Sequence, residues 1–544
     1  MDARRPKCLE LGLFLVIVVL PLAFTPFTMG PFADPKSVIL PLGALLLWLG
    51  GVRIDRRLAW IAAVWAGVTV VATATGVDPA AGLVATAPGN GGGTSLTICC
   101  AVLVVCGAGL PRDFIARARE WLIWAGAAVS ATLLVYRLAP GMLPDVVPSS
   151  NFIGATLGNQ LFAAALVAAA MAATATGKQP LWRRLLLLAL MTAAVTSTAE
   201  RSSMLLPLVA LAVAWWRARE GWQRTAAGVL VVLGTFSAWQ GADAVLPGRP
   251  PPESAIHQLG NSATDPVRFI VWRVSARAWL DRPILGWGPG ATQSAYLHVG
   301  SPEEVEEAGR AWEDAHDLFL EAAVSTGVLG AAAALALLGI AAARALRTPP
   351  GEAWAVGAAA GLGAYSLVEP LNLVLTPLLF LVAGIVASHA SPQREENGRA
   401  TWPARAGRAL VPVGLGLAVV VALFAFGAST FERQGYDYGE TAALRTSLRL
   451  QPWRLSARQE LAIQLAASAR AGVEGAAEEA AATVTTGVED RPWDPDVRII
   501  AARVSTLLND PEAASAWLRE QLEWFPGDRA WVSRNVNAPG VTGS

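Results

Sequence analysis

Residues 265–330 hold the side chains in this chain best placed to do chemistry. They read DPVRFIVWRVSARAWLDRPILGWGPG, then an acidic run, then AHDLFLEAAVSTGVLG, and they sit between two strongly apolar stretches. Four arginines fall in one run: Arg268, Arg273, Arg277 and Arg282. A guanidinium presents a planar fork that suits bidentate binding of phosphate, so Arg268 and Arg273 are candidate ligands for an anionic phosphate group. His316 opens the following apolar stretch. An imidazole can accept a proton near neutral pH, as a general base acting on a sugar hydroxyl must. Its acidic neighbours Glu313, Asp314 and Asp317 would favour its charged form or orient its ring.

Arg201, in VTSTAERSSML, is a further candidate. An arginine beside the hydrocarbon boundary is costly unless it snorkels, finds an acidic partner such as Glu200, or binds an anion. Glycines 286, 288 and 290 in DRPILGWGPG allow close backbone approach to a ligand. They lack the spacing of a phosphate-binding loop, so they read as shaping a cavity. No cluster has metal-ligand spacing, and the expected chemistry uses no metal and no cofactor.

These residues need a scaffold, and composition says which kind. The chain has 544 residues, 54% hydrophobic and only 15% charged, with a mean hydropathy of +0.44. That fits a polytopic all-α membrane bundle. Formal net charge is zero, which gives no basic surface for nucleic acid. The four cysteines, Cys8, Cys99, Cys100 and Cys106, lie in or beside apolar stretches and read as small apolar side chains. The first apolar run, from Leu9 to Thr28, has full spanning length and reads as a retained helix.

About thirteen apolar stretches follow, near 9–29, 37–51, 58–76, 94–110, 121–139, 152–176, 181–199, 203–216, 225–244, 316–343, 353–368, 372–389 and 408–430. Every second connection is basic, as at Arg53, Arg56 and Arg57 or at Arg112, Arg117 and Arg119, while the intervening short loops hold only Lys36, Arg137 and Arg201. The positive-inside rule puts the basic set, and the N-terminus with it, in the cytoplasm. The loop 245–315 and the tail from Phe431 then lie outside the cytoplasmic membrane. Residues 1–430 form the membrane domain and 431–544 a soluble helical tail. The tail is punctuated near Pro452, Pro492 and Pro526, a spacing close to that of tetratricopeptide helix pairs, which bind partners or brace a neighbour.

Together these features resemble the O-antigen ligase and O-antigen polymerase superfamily. The resemblance rests on Arg201 between adjacent spans, R-x-x-x-W at Arg268–Trp272, RPILGWGPG at 282–290 and AHDLFLEAAVSTGVLG at 315–330; DPK at 34–36 and the Gly-rich loop at 88–94 also look similar. Family members usually have His-Asn where this chain has His316-Asp317. The resemblance covers about residues 10–390 and implies a GT-C type glycosyltransferase. Its donor would be a glycan on undecaprenyl diphosphate, with the diphosphate met by Arg201, Arg268 and Arg273. Its acceptor would be a glycan, a lipid or a protein, deprotonated by His316. Ligase-type transfer is the favoured form, with polymerase or protein O-oligosaccharyltransferase as alternatives. A transporter would place ionisable groups inside the spans, which are nearly free of them. A non-enzymatic scaffold would use the tail to recruit an envelope protein.

Overall fold

The computed structural model describes residues 4–83, 93–139, 155–198, 201–218, 222–243, 266–310, 312–369, 372–388 and 402–535. Among these the protein is all-helical, and each of the thirteen apolar stretches falls on a helix. The first is α1 (Arg4–Phe14), which runs through a π turn (Leu15–Val19) into the short α2 (Leu20–Leu22). Then come α3 (Asp34–Leu49), α4 (Arg56–Thr75), α5 (Pro79–Leu83), α6 (Thr94–Ala108), α7 (Arg112–Leu138), α8 (Gln160–Ala175), α9 (Leu181–Ser197), α10 (Arg201–Ala218) and α11 (Trp222–Asp243). Among the described residues four helices are long and apolar enough to cross a membrane: α4, α7, one at Leu318–Ala345 and one containing Leu410–Tyr438. Further apolar helices are shorter, among them α6 and α8.

Helix α8 is the axis of the bundle. Every residue from Leu161 to Ala175 is buried, and most of them are alanines. In lipid, helices gain little from merely hiding apolar surface, so close approach of small residues supplies the packing. A β-carbon on Gly126 would lie 2.2 Å from the Ala170 β-carbon, so α7 sits directly against α8. At the end of α8 that faces the site described below, the Asn159 side chain accepts from Leu161 N at 2.8 Å. This N-cap satisfies a free amide at the helix start.

Between the two halves of the membrane region lie α12 (Pro266–Asp281), α13 (Thr292–Val299) and α14 (Pro302–Ala308). The sequence places an apolar stripe on α12 at Phe269, Trp272, Ala276 and Trp279. In the structure the deepest face is a different one: Ile270, Val271, Val274 and Ala278 are buried, whereas Phe269 is exposed. The sequence reads the aromatic stripe as lying along the membrane interface; in the structure it borders the core, which the smaller residues form.

The bundle then resumes with α15 (Leu318–Ala345), α16 (Ala353–Ser366), α17 (Leu375–Ser388) and α18 (Trp402–Tyr438). Helix α15 is broken at Gly327, which has φ +64°. The segment 283–288 docks into the break. Trp287 N donates to Val324 O at 2.8 Å, Gly288 N to Ser325 O at 3.1 Å, and Val328 N to Pro283 O at 2.8 Å. A β-carbon at Gly327 would lie 2.1 Å from Ile284 O, so only glycine fits. The glycine-rich segment thus shapes the site by repairing a helix break.

The tail contains α19 (Thr441–Leu450), α20 (Leu455–Arg470), α21 (Ala476–Asp490), α22 (Val497–Leu507), α23 (Pro511–Trp524) and α24 (Arg529–Asn535). Three helices end on a residue of similar extended geometry followed by proline: Gln451 (φ −141°, ψ 83°), Arg491 (φ −138°, ψ 64°) and Phe525 (φ −131°, ψ 74°). Proline forbids the helical region to the residue before it, so the sequence spacing becomes a repeated turn.

This tail packs on the segment 266–310. Trp493 meets Trp287 edge-on at 5.6 Å and Trp524 at 4.7 Å, and Phe525 is fully buried in the same cluster. Arg491 pairs with Asp78 at 2.6 Å, both nearly buried.

Candidate functional site

Helix α15 begins at Leu318, and His316 lies just ahead of it, outside the spanning segment. The Asp317 carboxylate accepts from Phe319 N at 2.9 Å and Leu320 N at 2.7 Å, so it caps the helix. Asparagine caps about as well, so the departure from His-Asn preserves this role. His316 has φ +47°, in the left-handed region that a bulky residue seldom adopts. Such backbone strain persists only when the surroundings hold it, and it concentrates at functional sites.

Two anchors hold it here. His316 N donates to Asp314 Oδ1 at 2.9 Å. One residue earlier, Ala315 N donates to Glu321 Oε2 at 2.9 Å. Glu321 is buried and also accepts from Thr292 at 2.7 Å and Ser325 at 2.9 Å, tying α13, the histidine loop and α15 together.

Three elements converge on the imidazole. Glu369, just past α16, places Oε2 3.4 Å from His316 Nδ1. Asp314 Oδ1 is 3.6 Å from Nε2. Arg268, from α12, donates to Val368 O at 2.8 Å and meets Glu369 Oε1 at 3.2 Å. Glu369 thereby bridges Arg268 and His316. The Trp312 ring stands edge-on to the imidazole at 4.6 Å.

Burial opposes charge on His316, but the Glu369 contact and the fields of Asp314 and Glu369 outweigh it, against a smaller opposing effect from Arg268. The net result is a pKa above the ordinary imidazole value. Glu313 is also shifted upward, by burial and by the neighbouring Asp314 and Asp496.

A cavity of about 470 Å³ opens over this group, lined by Asn159, Phe162, Arg310, Trp312, Glu313, Asp314, His316 and Glu369. A second cavity of about 340 Å³ shares Asn159 and Phe162 with the first and contains Lys36, Phe32 and Asn372. Arg310, on the rim of the first, is held by the tail: it pairs with Asp528 at 2.7 Å and Asp496 at 2.7 Å and donates to Pro495 O at 3.0 Å. Among the described residues no cluster of three or more His, Cys, Asp or Glu has metal-binding spacing.

The structure brings His316 and Arg268 together through Glu369. Arg273, on the exposed side of α12, pairs instead with Glu304 at 2.9 Å, and its side chain is 62% exposed. It does not line either cavity. Arg277 contacts the same carboxylate, and Arg282 stacks over the Trp287 ring at 4.5 Å. Arg201 is the first residue of α10. Its side chain, the Glu200 beside it and most of the Gly-rich loop lie outside the described residues.

Glu369 was the residue least visible in the sequence. Its signal is a single acid in SLVEPLN, between two otherwise charge-free spans.

This is the architecture of a multi-pass helical membrane protein whose ionisable groups gather where helix ends meet, under a docked helical tail. Residues 186–335 match the O-antigen ligase family, which supports a place for this segment in the O-antigen ligase superfamily. The matched segment runs from α9 through the first part of α15. It includes Arg268 and His316 but neither Lys36, Glu369 nor the tail. No curated protein matches the chain.

Proposed function

We propose that this protein is a glycosyltransferase of the GT-C type. It moves a glycan from undecaprenyl diphosphate to an acceptor hydroxyl at the outer face of the bacterial cytoplasmic membrane, without a metal. The observation that carries this reading is the His316 group: an imidazole held in a strained backbone, oriented by a carboxylate, at the wall of a cavity within the segment that matches the family. A base oriented by a third group is the arrangement that deprotonating a weak nucleophile requires.

In this reading Glu369 favours the tautomer with the proton on Nδ1, which leaves Nε2 to accept the hydroxyl proton. The acceptor oxygen attacks the anomeric carbon. The bond from that carbon to the diphosphate oxygen breaks, and the diphosphate leaves with the electron pair. One displacement inverts the anomeric centre. Arg268 and Arg201 meet the growing negative charge, which preorganised cations stabilise without further rearrangement. The solvent-facing Arg273 serves chiefly to fasten α12 to α14. Trp312 and the carboxylates beside it suit a hydroxyl-rich sugar, with an apolar ring to stack on and acceptors to receive hydroxyl protons.

The topology that fits has a cytoplasmic N-terminus, with segment 245–315 and the tetratricopeptide-like tail outside. The acceptor is a lipid-borne core glycan in the favoured ligase reading. The test is transfer from purified carrier-linked oligosaccharide in detergent with EDTA. Lipid A core, a second carrier-linked glycan and a peptide are compared side by side as acceptors. Transfer by wild type that vanishes in His316→Ala is expected, and the labelled product separates ligase from polymerase and oligosaccharyltransferase. Transfer by His316→Ala at the wild-type rate would overturn the role given to the histidine. A lack of product with all three acceptors would favour transport or scaffolding.

A further inference from the structure

We infer that Lys36, in the cavity adjoining the histidine, is the cationic subsite for the diphosphate of the donor. This rests on the glycosyl-transfer reading for the identity of the anion, but not for the existence of the site.

Lys36 is 3% exposed. Its ammonium donates to Thr156 O at 2.5 Å and stands 5.9 Å from the centre of the Phe32 ring. Among the described residues no carboxylate is within ion-pair distance of it. The nearest acid along the chain, Asp34, is engaged with Gly30 N at 3.0 Å and Ser429 at 2.5 Å. An ammonium has three donors, and one carbonyl uses one of them. A charge taken out of water without a counter-ion is strongly disfavoured, so an anion entering this cavity would stabilise the charged ammonium. The other lysines and most of the arginines avoid this situation by exposure or pairing.

The cavity around Lys36 has the size and lining for such a guest. Its volume is about 340 Å³, and Asn159 and Asn372 lie on its wall with the backbone of residues 29–33. Both asparagine side chains already accept from helix-start amides: Asn159 from Leu161 N at 2.8 Å, and Asn372 from Val374 N at 2.8 Å. Their amide nitrogens can therefore donate to an anion.

The position relative to His316 is as informative as the charge. The Lys36 and His316 cavities share Asn159 and Phe162 as a common wall. A sugar seated at that wall would have a base on one side and a cation on the other. In-line displacement needs this arrangement, because the nucleophile enters opposite the departing oxygen. Lys36 adds to the arginines a cation that has no carboxylate of its own among the described residues. Arg268 is engaged with Glu369 and Arg273 with Glu304, so each already has a carboxylate.

The test is calorimetric titration of the purified full chain in detergent with farnesyl diphosphate and with inorganic pyrophosphate; farnesol serves as the uncharged control. Wild type is expected to bind both diphosphates and to bind farnesol more weakly than farnesyl diphosphate. Lys36→Met should weaken diphosphate binding by about tenfold or more, the loss of one charge-assisted hydrogen bond.

Asn372→Asp guards against misfolding. It keeps the cap on Val374 and Leu375, adds an anion to the cavity and should weaken diphosphate binding in the same direction. His316→Ala should retain diphosphate binding. Unchanged affinity in both Lys36→Met and Asn372→Asp would overturn the inference, as would a wild type that binds no diphosphate. Binding that depends on Lys36 in a protein that transfers no glycan would leave this subsite standing and remove the proposed function. Transfer without that dependence would do the reverse.

Discussion

Helix α12 carries two sets of arginines, and their fates differ. On one side Arg268 reaches Glu369, a carboxylate only 9% exposed that also touches His316. On the other, the exposed guanidiniums of Arg273 and Arg277 share the half-buried Glu304, which with Ser301 also forms a reciprocal cap on α14. The two pairs have the same chemistry. What separates them is water. Solvent reaches Arg273 and Arg277 and screens their pairs with Glu304, and exposed ion pairs contribute within about 1 kcal/mol. Around Glu369 burial strengthens every charge, so removing one partner strands the other. A guanidinium becomes informative about function through the company its carboxylate keeps.

This contrast can be broken in several places. The largest expected effect is at the imidazole that only the inner pair touches. His316→Gln should slow transfer by about 10²–10⁴, the range for a positioned base, with thermal stability near wild type. Initial rates and melting temperature measured on the same preparation check it, and full activity would dissolve the distinction between the two sides.

Next is Arg268→Met, which leaves Glu369 buried without its cation. The expected loss is about 2 kcal/mol of stability, below the range of about 3–5 for a fully buried pair because Arg268 retains some exposure. A fall in transfer should accompany it, and denaturant unfolding in detergent reads the first quantity.

Glu369→Gln probes the same connection through pH. His316 has a raised pKa in the folded protein. Its charge therefore contributes stability that is complete below the ordinary imidazole value of about 6.5 and is lost as pH rises through the higher folded value. The neutral base appears over that same upper window, so transfer should climb as this contribution fades. Removing the Glu369 charge should move the acid limb of the rate profile to lower pH. A limb that stays in place would disconnect Glu369 from the proton acceptor.

The smallest effect belongs to the outer pair. Arg273→Ala should change stability by no more than about 0.5 kcal/mol and leave transfer near wild type. A collapse of transfer there would restore Arg273 to the donor site, where the sequence first suggests it.

Much of the scaffold is legible in the sequence because membrane helices announce themselves by length and apolarity. The same is true of the glycines of RPILGWGPG, whose local chemistry dictates tight turns, whereas Asp317, which the sequence offers as a neighbour of the imidazole, caps the helix instead. What is not legible depends on convergence. Glu369 and Lys36 lie outside the segment 186–335 that matches the family, and nothing in SLVEPLN or ADPKSV says which helix ends will meet. The buried face of α12 is hard to read for a related reason. The sequence shows the stripe that holds Trp272 and Trp279, but not that the smaller Val271, Val274 and Ala278 make the close contact with neighbouring elements. The repeated turns at Gln451, Arg491 and Phe525 show the reverse case, where a loose spacing of prolines marks a regular backbone device.

The tail contact has a consequence in time. Arg310 stands on the rim of the histidine cavity, and its partner Asp528 is 218 positions later in the chain. Arg491 and Asp78 are 413 positions apart. During synthesis the membrane helices and the histidine loop exist long before the residues that brace them. The cavity rim reaches its final form only when nearly the whole polypeptide has been made, so a prematurely terminated chain would carry the reactive imidazole without a finished pocket around it.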